Sequence, residues 1–248
     1  MTGAGIAIDA HVHLHDEAGA LPLLRTAAAN LARSCPQATQ AVVMLAERQG
    51  FHVFERLRPR LVPTGEPEAM WLDEDRGLLL LAGRQLVSAE GLEILGLATR
   101  LELPDGLPAR DILAAYREAD AILVLPWGVG KWLGRRGRLV DSLLERHPDL
   151  LLGDNGGRPR LWRVPRFGGR PLLSGSDPLP IAGSERAVGR FGSIVEGRLP
   201  PDMPAAALKA LLRDSRTAIR PFGAPASLPR FLRDQSRLRL ARRSPLAA

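Results

Sequence analysis

A recurrence of short apolar runs, each ending within two residues of a polar residue, glycine or proline, most constrains how this chain can fold. The runs are Ile6 to Ala10, Ala41 to Leu45, Leu78 to Ser88, Leu92 to Leu97, Ala121 to Leu125, Leu150 to Gly153 and Pro171 to Gly175. They are short for helices, so they read as buried strands. Ala89-Glu90-Gly91 reads as a tight turn joining the third run to the fourth. Residues 59 to 76, rich in proline and charge, read as a loop or short hairpin. Stretches with helical spacing stand between most of the strands: Leu21 to Ser34, Phe51 to Arg58, Ala109 to Ala119, Arg138 to Arg146, Ser184 to Phe191 and Pro204 to Arg213. Strand followed by helix predicts a parallel sheet with covering helices. A closed barrel and an open doubly wound sheet both satisfy this order, and 248 residues suit one large domain.

Polar residues gather where the apolar runs end. His11 and His13 follow the first run, Asp154 and Asn155 a later one, and Asp177 the last. Alternate positions on a strand share a face, so His11, His13 and His15 would point the same way if the strand continued, though His15 is expected to lie past its end. Two neutral imidazoles at a strand exit make half of a transition-metal site. In βα barrels catalytic groups sit at the carboxyl ends of strands, which would make His13 and Asp177 neighbours across the mouth. Two imidazoles and a carboxylate suit one divalent ion of zinc, manganese or iron. His52, between apolar neighbours, reads as a packing residue.

Gly128-Val129-Gly130-Lys131 is a second candidate site. Glycines at a strand-to-helix turn let backbone N–H groups approach an anion. Lys131, Arg135 and Arg136 could then add charge to the binding of a substrate phosphate, with Gly128 and Gly130 shaping the turn. The Walker spacing is absent. Asp154 is a candidate catalytic carboxylate, although Asp154-Asn155-Gly156-Gly157 also reads as a simple turn.

The net charge of +7 resembles a nucleic-acid signal until it is located. Residues 213 to 243 hold nine arginines and two aspartates, so the rest of the chain sums to neutral. The tail reads as a solvated extension, 213–248, with at most weak contact to a nucleic acid or acidic partner. After Pro229 the tail suggests a short helix docked through Phe231, Leu232, Leu238 and Leu240. The single cysteine, Cys35, excludes a disulfide framework and a thiolate cluster. The chain shows no signal peptide and no apolar run of membrane-spanning length, so the expected location is cytoplasmic.

Asp9-Ala10-His11-Val12-His13, Ala82-Gly83-Arg84-Gln85-Leu86-Val87-Ser88 with Gly91-Leu92-Glu93-Ile94-Leu95-Gly96-Leu97, and Leu173-Ser174-Gly175-Ser176-Asp177 together resemble the polymerase-and-histidinol-phosphatase (PHP) domain. The likeness runs over about residues 6 to 197. It implies a single distorted TIM-like barrel of seven βα units, placed here at residues 1–212, that hydrolyses a phosphorylated small molecule or nucleotide. It also implies His11, His13 and Asp177 as metal ligands. Other family positions are changed: Ala46-Glu47-Arg48 replaces Asp-His, Gln85 a glutamate, Glu93 a histidine, Pro126-Trp127 a His-Pro pair, and Asp177-Pro178-Leu179 the final Asp-x-His. These changes imply fewer than three ions, with Glu93 or Glu90 as a substitute ligand or Glu93 as a catalytic group. Amidohydrolase barrels resemble this pattern too. A ligand-depleted barrel acting as a nucleic-acid- or protein-binding module is the alternative from another functional class.

Overall fold

The computed structural model describes residues 5–14 and 17–241. His15 lies outside the described residues. In chain order, β1 (Gly5–Val12), α1 (Glu17–Ser34), β2 (Ala38–Leu45) and α2 (Val53–Leu57) lead to a small hairpin of β3 (Val62–Pro63) and β4 (Ala69–Trp71). Then β5 (Leu78–Leu81), β6 (Gly83–Val87) and β7 (Glu93–Leu97) follow with no helix between them. The chain continues through α3 (Ala109–Glu118), β8 (Ile122–Pro126), α4 (Gly134–Arg146) and β9 (Leu151–Gly153). A long irregular stretch precedes β10 (Gly192–Glu196), α5 (Pro204–Arg213), β11 (Arg220–Phe222) and α6 (Leu228–Ala241).

The expected closed barrel of seven βα units is not formed. The strands make a seven-stranded sheet, ordered β11-β10-β1-β2-β5-β4-β3, and a four-stranded sheet, β6-β7-β8-β9. Both are mixed: β1, β2 and β5 are parallel and so are β8 and β9, whereas β10 and β4 run antiparallel to their neighbours, as β7 does to β6 and β8. The reason lies in the connections. A parallel neighbour needs a long crossover, whereas a tight turn delivers an antiparallel one, and the turn at residues 88–91 is tight. The apolar run Leu78 to Ser88, expected as one strand, breaks at Ala82 and passes from the large sheet to the small one.

The two sheets share one core. Ile6, Ile8 and Ala10 of β1 meet Val42 and Met44 of β2, Leu95 and Leu97 of β7, and Val124 of β8. On the outer face of the large sheet, Leu24 and Leu31 of α1 cover Ala7, Val43 and Leu45. Outside the small sheet, α3 and α4 cover Ile94, Leu123 and Leu125. Leu208 and Leu212 of α5 plug the inner core at the end where β8 begins, and Arg213 fixes that end by donating to the carbonyls of Asp120 and Ala121. The opposite end, where β1, β8 and β9 finish, is left to polar groups.

At that end isolated bridges link the sheets. The Glu47 N–H donates to the Gly83 carbonyl at 3.0 Å, and the Gln85 N–H to the Glu47 carbonyl at 2.9 Å. The segment 171–177, expected to contain a strand, instead threads between β9 and β1 by single bonds. Leu173 N–H donates to Leu152, Ala10 N–H to Ser174, and Asp177 N–H to His11. The helix expected over Ser184 to Phe191 is only a 3-10 turn, Ser184–Ala187, because Gly189 takes a left-handed φ of 78°. In α6, Leu232 and Leu240 are exposed, so the tail helix does not dock through all four of the apolar residues expected to hold it. Among the described residues no helix is long and apolar enough to cross a membrane.

Candidate metal centre

The last turn of β1 is where the site is made. Along β1, Ile6, Ile8 and Ala10 face the inner core and Ala7 the outer one. Strict alternation would then send His11 outward with Ala7 and Asp9. It does not, because the pairing with β2 shifts between Asp9 and Val12, and Val12 packs in the outer core. An irregularity of this kind re-aims side chains and is frequent beside functional sites. Beyond it His11 and His13 lie together on the polar end, both buried. Their Nε2 atoms stand 3.1 Å apart and the rings meet edge to face.

Asp177 arrives from the other side of the sequence. Its Oδ1 is 3.7 Å from His11 Nε2 and 3.5 Å from His13 Nε2. The three side chains each offer a ligand atom within 4.8 Å of the others, the one such cluster among the described residues. Asn155 fixes the carboxylate, its Nδ2 donating to Asp177 Oδ2 at 3.1 Å and to the Trp127 carbonyl at 2.9 Å. Asp177 holds a left-handed φ of 46°, a strained backbone of the kind that persists when surrounding contacts over-determine it. Burial opposes its ionisation, but His11, His13 and Lys131 outweigh that and hold the carboxyl far below the usual range. For His13 burial dominates and lowers its pKa, leaving the neutral ring that can ligate.

Two residues position this group without belonging to it. The buried Asp9 carboxylate accepts the Ser176 N–H and the Gly189 N–H, each at 2.8 Å, tying the loop that carries Asp177 onto β1. Burial pushes its pKa up to about 6 despite those bonds. Gly175 makes the close approach possible: a Cβ there would sit 2.3 Å from the His11 nitrogen. Neither residue was expected from sequence. Asp9 sits in the opening motif and carried a signal; the need for glycine at 175 depends on a contact spanning the whole chain.

The remaining candidates divide. Gln85 enters the site, its Oε1 2.8 Å from His11 Nε2. Glu93 lies at the start of β7 and ion-pairs with Lys131, outside the three-residue cluster. Lys131 therefore stands between Glu93 and the field of Asp177. Asp154 is held by Arg158 in a bidentate pair at 2.6 and 2.7 Å. Glu90 accepts the Ala109 N–H at the start of α3. Gly128 packs directly against the Lys131 side chain, and Gly130 has a left-handed φ of 71°. Arg136 donates to the Gly130 carbonyl, whereas Arg135 is exposed. His52, expected to pack, is half exposed and bonds Glu102 at 2.9 Å. A cavity of about 590 Å³ opens beside His13, walled by Leu14, Leu23, Leu179 and Ile181.

No family model matches the chain, and no curated protein matches it in sequence. Solved structures do share its fold. PsfC from Pseudomonas syringae PB-5123 aligns at a TM-score of 0.54 and 15% identity, over 96% of this chain and 99% of that one. The lesion-specific endonuclease PfuEndoQ from Pyrococcus furiosus aligns at 0.54 and 14%, over 87% of this chain and 57% of that one. Endonuclease Q in complex with a 27-mer duplex carrying an abasic lesion at its active site aligns at 0.52 and 15%, over 86% and 58%. At such identities the likeness shows the fold alone. The chain spans little more than half the length of the two endonucleases.

Proposed function

We propose that this chain is a metal-dependent phosphoester hydrolase of PHP type, with one divalent ion held by His11, His13 and Asp177. The convergence of those three ligand atoms at strand ends carries the reading. Their spacing fits the ion. Zinc bonds to nitrogen and oxygen of about 2.0–2.2 Å place tetrahedral ligands roughly 3.3 Å apart, and the observed separations are 3.1, 3.5 and 3.7 Å. A divalent ion bound there supplies Lewis-acid charge for a phosphoryl oxygen and acidifies water.

The chain's own residues supply the rest. Asn155 holds the Asp177 carboxylate toward the imidazoles. Lys131, kept in place by Glu93, offers its ammonium to a non-bridging phosphoryl oxygen. The cavity beside His13 has room for part of the substrate, with leucine and isoleucine side chains on one part of its wall. Gln85 is neutral where a second ion would need an anionic ligand, so the site is built for one ion.

Protein purified without a histidine tag should carry near-stoichiometric zinc, manganese or iron and should hydrolyse a generic phosphomonoester or phosphodiester. Chelation should abolish hydrolysis and the added ion restore it. A chain that takes up no metal on reconstitution and hydrolyses neither substrate would instead be a non-catalytic binding module.

A further inference from the structure

Two loops beyond the metal centre pack into a single rim. One runs from 127 into the first turns of α4 at 138, the other from 154 to 170. The Trp127 and Trp162 rings meet edge to face at 5.7 Å, as do Trp132 and Phe167 at 5.9 Å. Arg166 bonds the Trp132 carbonyl, and Asn155 joins the Trp127 carbonyl to Asp177. The rim thus starts at the site itself. Together the two loops hold nine basic residues and one acidic residue, Asp154.

Some of that charge is spent internally: Lys131 on Glu93, Arg158 on Asp154, Arg166 on Asp141. Arg135, Arg138, Arg160 and Arg163 are different. All four are exposed, and among the described residues no carboxylate lies within ion-pairing distance of them. Beside them Val129, Leu133, Leu161 and Trp162 are exposed as well, Leu161 by 81% and Trp162 by 41%.

We propose that this rim binds a single-stranded or locally unpaired nucleic acid. Uncompensated arginines match phosphates spaced along a backbone. The interleaved apolar side chains decide between strand types. A duplex presents phosphates outward and would leave Trp162 and Leu161 uncovered, whereas unpaired bases stack on such groups. The reading names a substrate class for the hydrolase proposed above, but the binding needs no metal and is tested without one.

The test uses the full-length protein in chelator and a labelled single-stranded oligonucleotide, with affinity followed against salt. The variant Arg135→Ala, Arg138→Ala, Arg160→Ala, Arg163→Ala should weaken binding by at least about 10-fold. It should also flatten the logarithmic salt dependence by up to about three, because each lost single-strand phosphate contact removes about 0.7. Removing four arginines from α6 instead (Arg230, Arg233, Arg237 and Arg239 to Ala) should cost less than 3-fold. Arg160→Glu alone, on an exposed loop, provides the same direction if the quadruple variant folds poorly, as judged by circular dichroism. Equal losses from rim and α6 variants would overturn the proposal. So would a duplex bound more tightly than the single strand, or capture by anionic vesicles without oligonucleotide binding. Hydrolysis of a generic phosphoester in metal is scored separately, so a failed rim and a failed metal site give different results.

Discussion

Asp154 follows β9 and Asp177 ends the segment threaded between β9 and β1, so both stand at the polar end of the fold, yet their surroundings differ. Asp154 meets a guanidinium that satisfies both of its oxygens. Asp177 meets two imidazole nitrogens at 3.5 and 3.7 Å and an asparagine amide, with no guanidinium or ammonium among the described residues bonded to its oxygens. Glu93 falls on the Asp154 side of this divide, matched by Lys131, and so does Glu47, 3.7 Å from Arg84 and capping α2 at the Phe54 N–H. A buried carboxylate is costly unless paired. Where a guanidinium or ammonium bonds the carboxylate, the carboxylate is structural; where its near partners are ring nitrogens and an amide, it stays available to the ion proposed above. That contrast, more than residue type, assigns the roles.

The hardest break of the comparison comes from the Asp177 side. His11→Ala with His13→Ala should abolish metal content by elemental analysis. Phosphoester hydrolysis should fall by at least about 10³-fold, the loss of several kcal/mol of charge stabilisation. Retention of stoichiometric metal would mean that the ion sits elsewhere and that the contrast is wrong.

The matched side should respond oppositely. Asp154→Asn strands the partly buried Arg158 and should destabilise the chain by about 3–5 kcal/mol, the usual cost of breaking a buried pair from one side. Metal content measured on the folded variant should not change. If metal content fell together with stability, Asp154 would belong with Asp177.

Gly175→Ala sharpens the geometry between them. The new Cβ would meet the His11 nitrogen at 2.3 Å and must push the Asp177 segment off β1. Overpacking of this kind costs about 1–3 kcal/mol, and displacement of a ligand's support costs roughly 10–100-fold in metal affinity. A competitive chelator titration would read the affinity, and thermal denaturation the stability. Wild-type affinity in the variant would show that Asp177 is not held through this approach.

What the sequence disclosed follows from which forces are local. Apolar runs and helical spacing place β1, β2, β7, β8, α3 and α5, because burial of a face leaves a periodic trace. His11, His13 and Asp177 were legible as polar residues at run ends. The parity change between Ala10 and Val12 was not, since an irregular pairing leaves no periodic mark, and without it the histidine side chains would have pointed into the outer core. β10 begins one residue past the helix expected over Ser184 to Phe191 and was not foreseen; its Gly192 is demanded by the Ile8 carbonyl, which a Cβ would meet at 2.1 Å. Strand–helix order left a closed barrel and an open sheet both possible, and closure came from the family resemblance; the structure departs from it where β5, β6 and β7 follow one another without helices. The charge sum misled as well: a neutral total over residues 1–212 concealed the basic rim, because acidic residues elsewhere cancel it.

The smallest expected effect extends the comparison into the core, where an unmatched polar atom has no ion to recruit. Tyr116 of α3 is fully buried, and its ring lies so close to Gly96 of β7 that a Cβ there would meet it at 2.6 Å. Its hydroxyl finds no hydrogen-bond partner among the described residues, and burial pushes its pKa well above the usual tyrosine range. At the candidate metal centre polar groups converge on one another; here a hydroxyl lies within the apolar cluster formed by α3, α4 and the small sheet. Desolvating it without a partner costs about 1–3 kcal/mol, while the ring itself fills space that no smaller side chain would. Tyr116→Phe keeps the ring and removes the unmatched atom, so it should stabilise the chain by about 1 kcal/mol, or raise the melting temperature by about 2–4 °C in a domain of this size. Metal content and hydrolysis should stay at wild-type levels. A loss of stability on this substitution would show that the hydroxyl is matched in solution, and the rule separating paired from unpaired groups would then fail in the core while still standing at the metal centre.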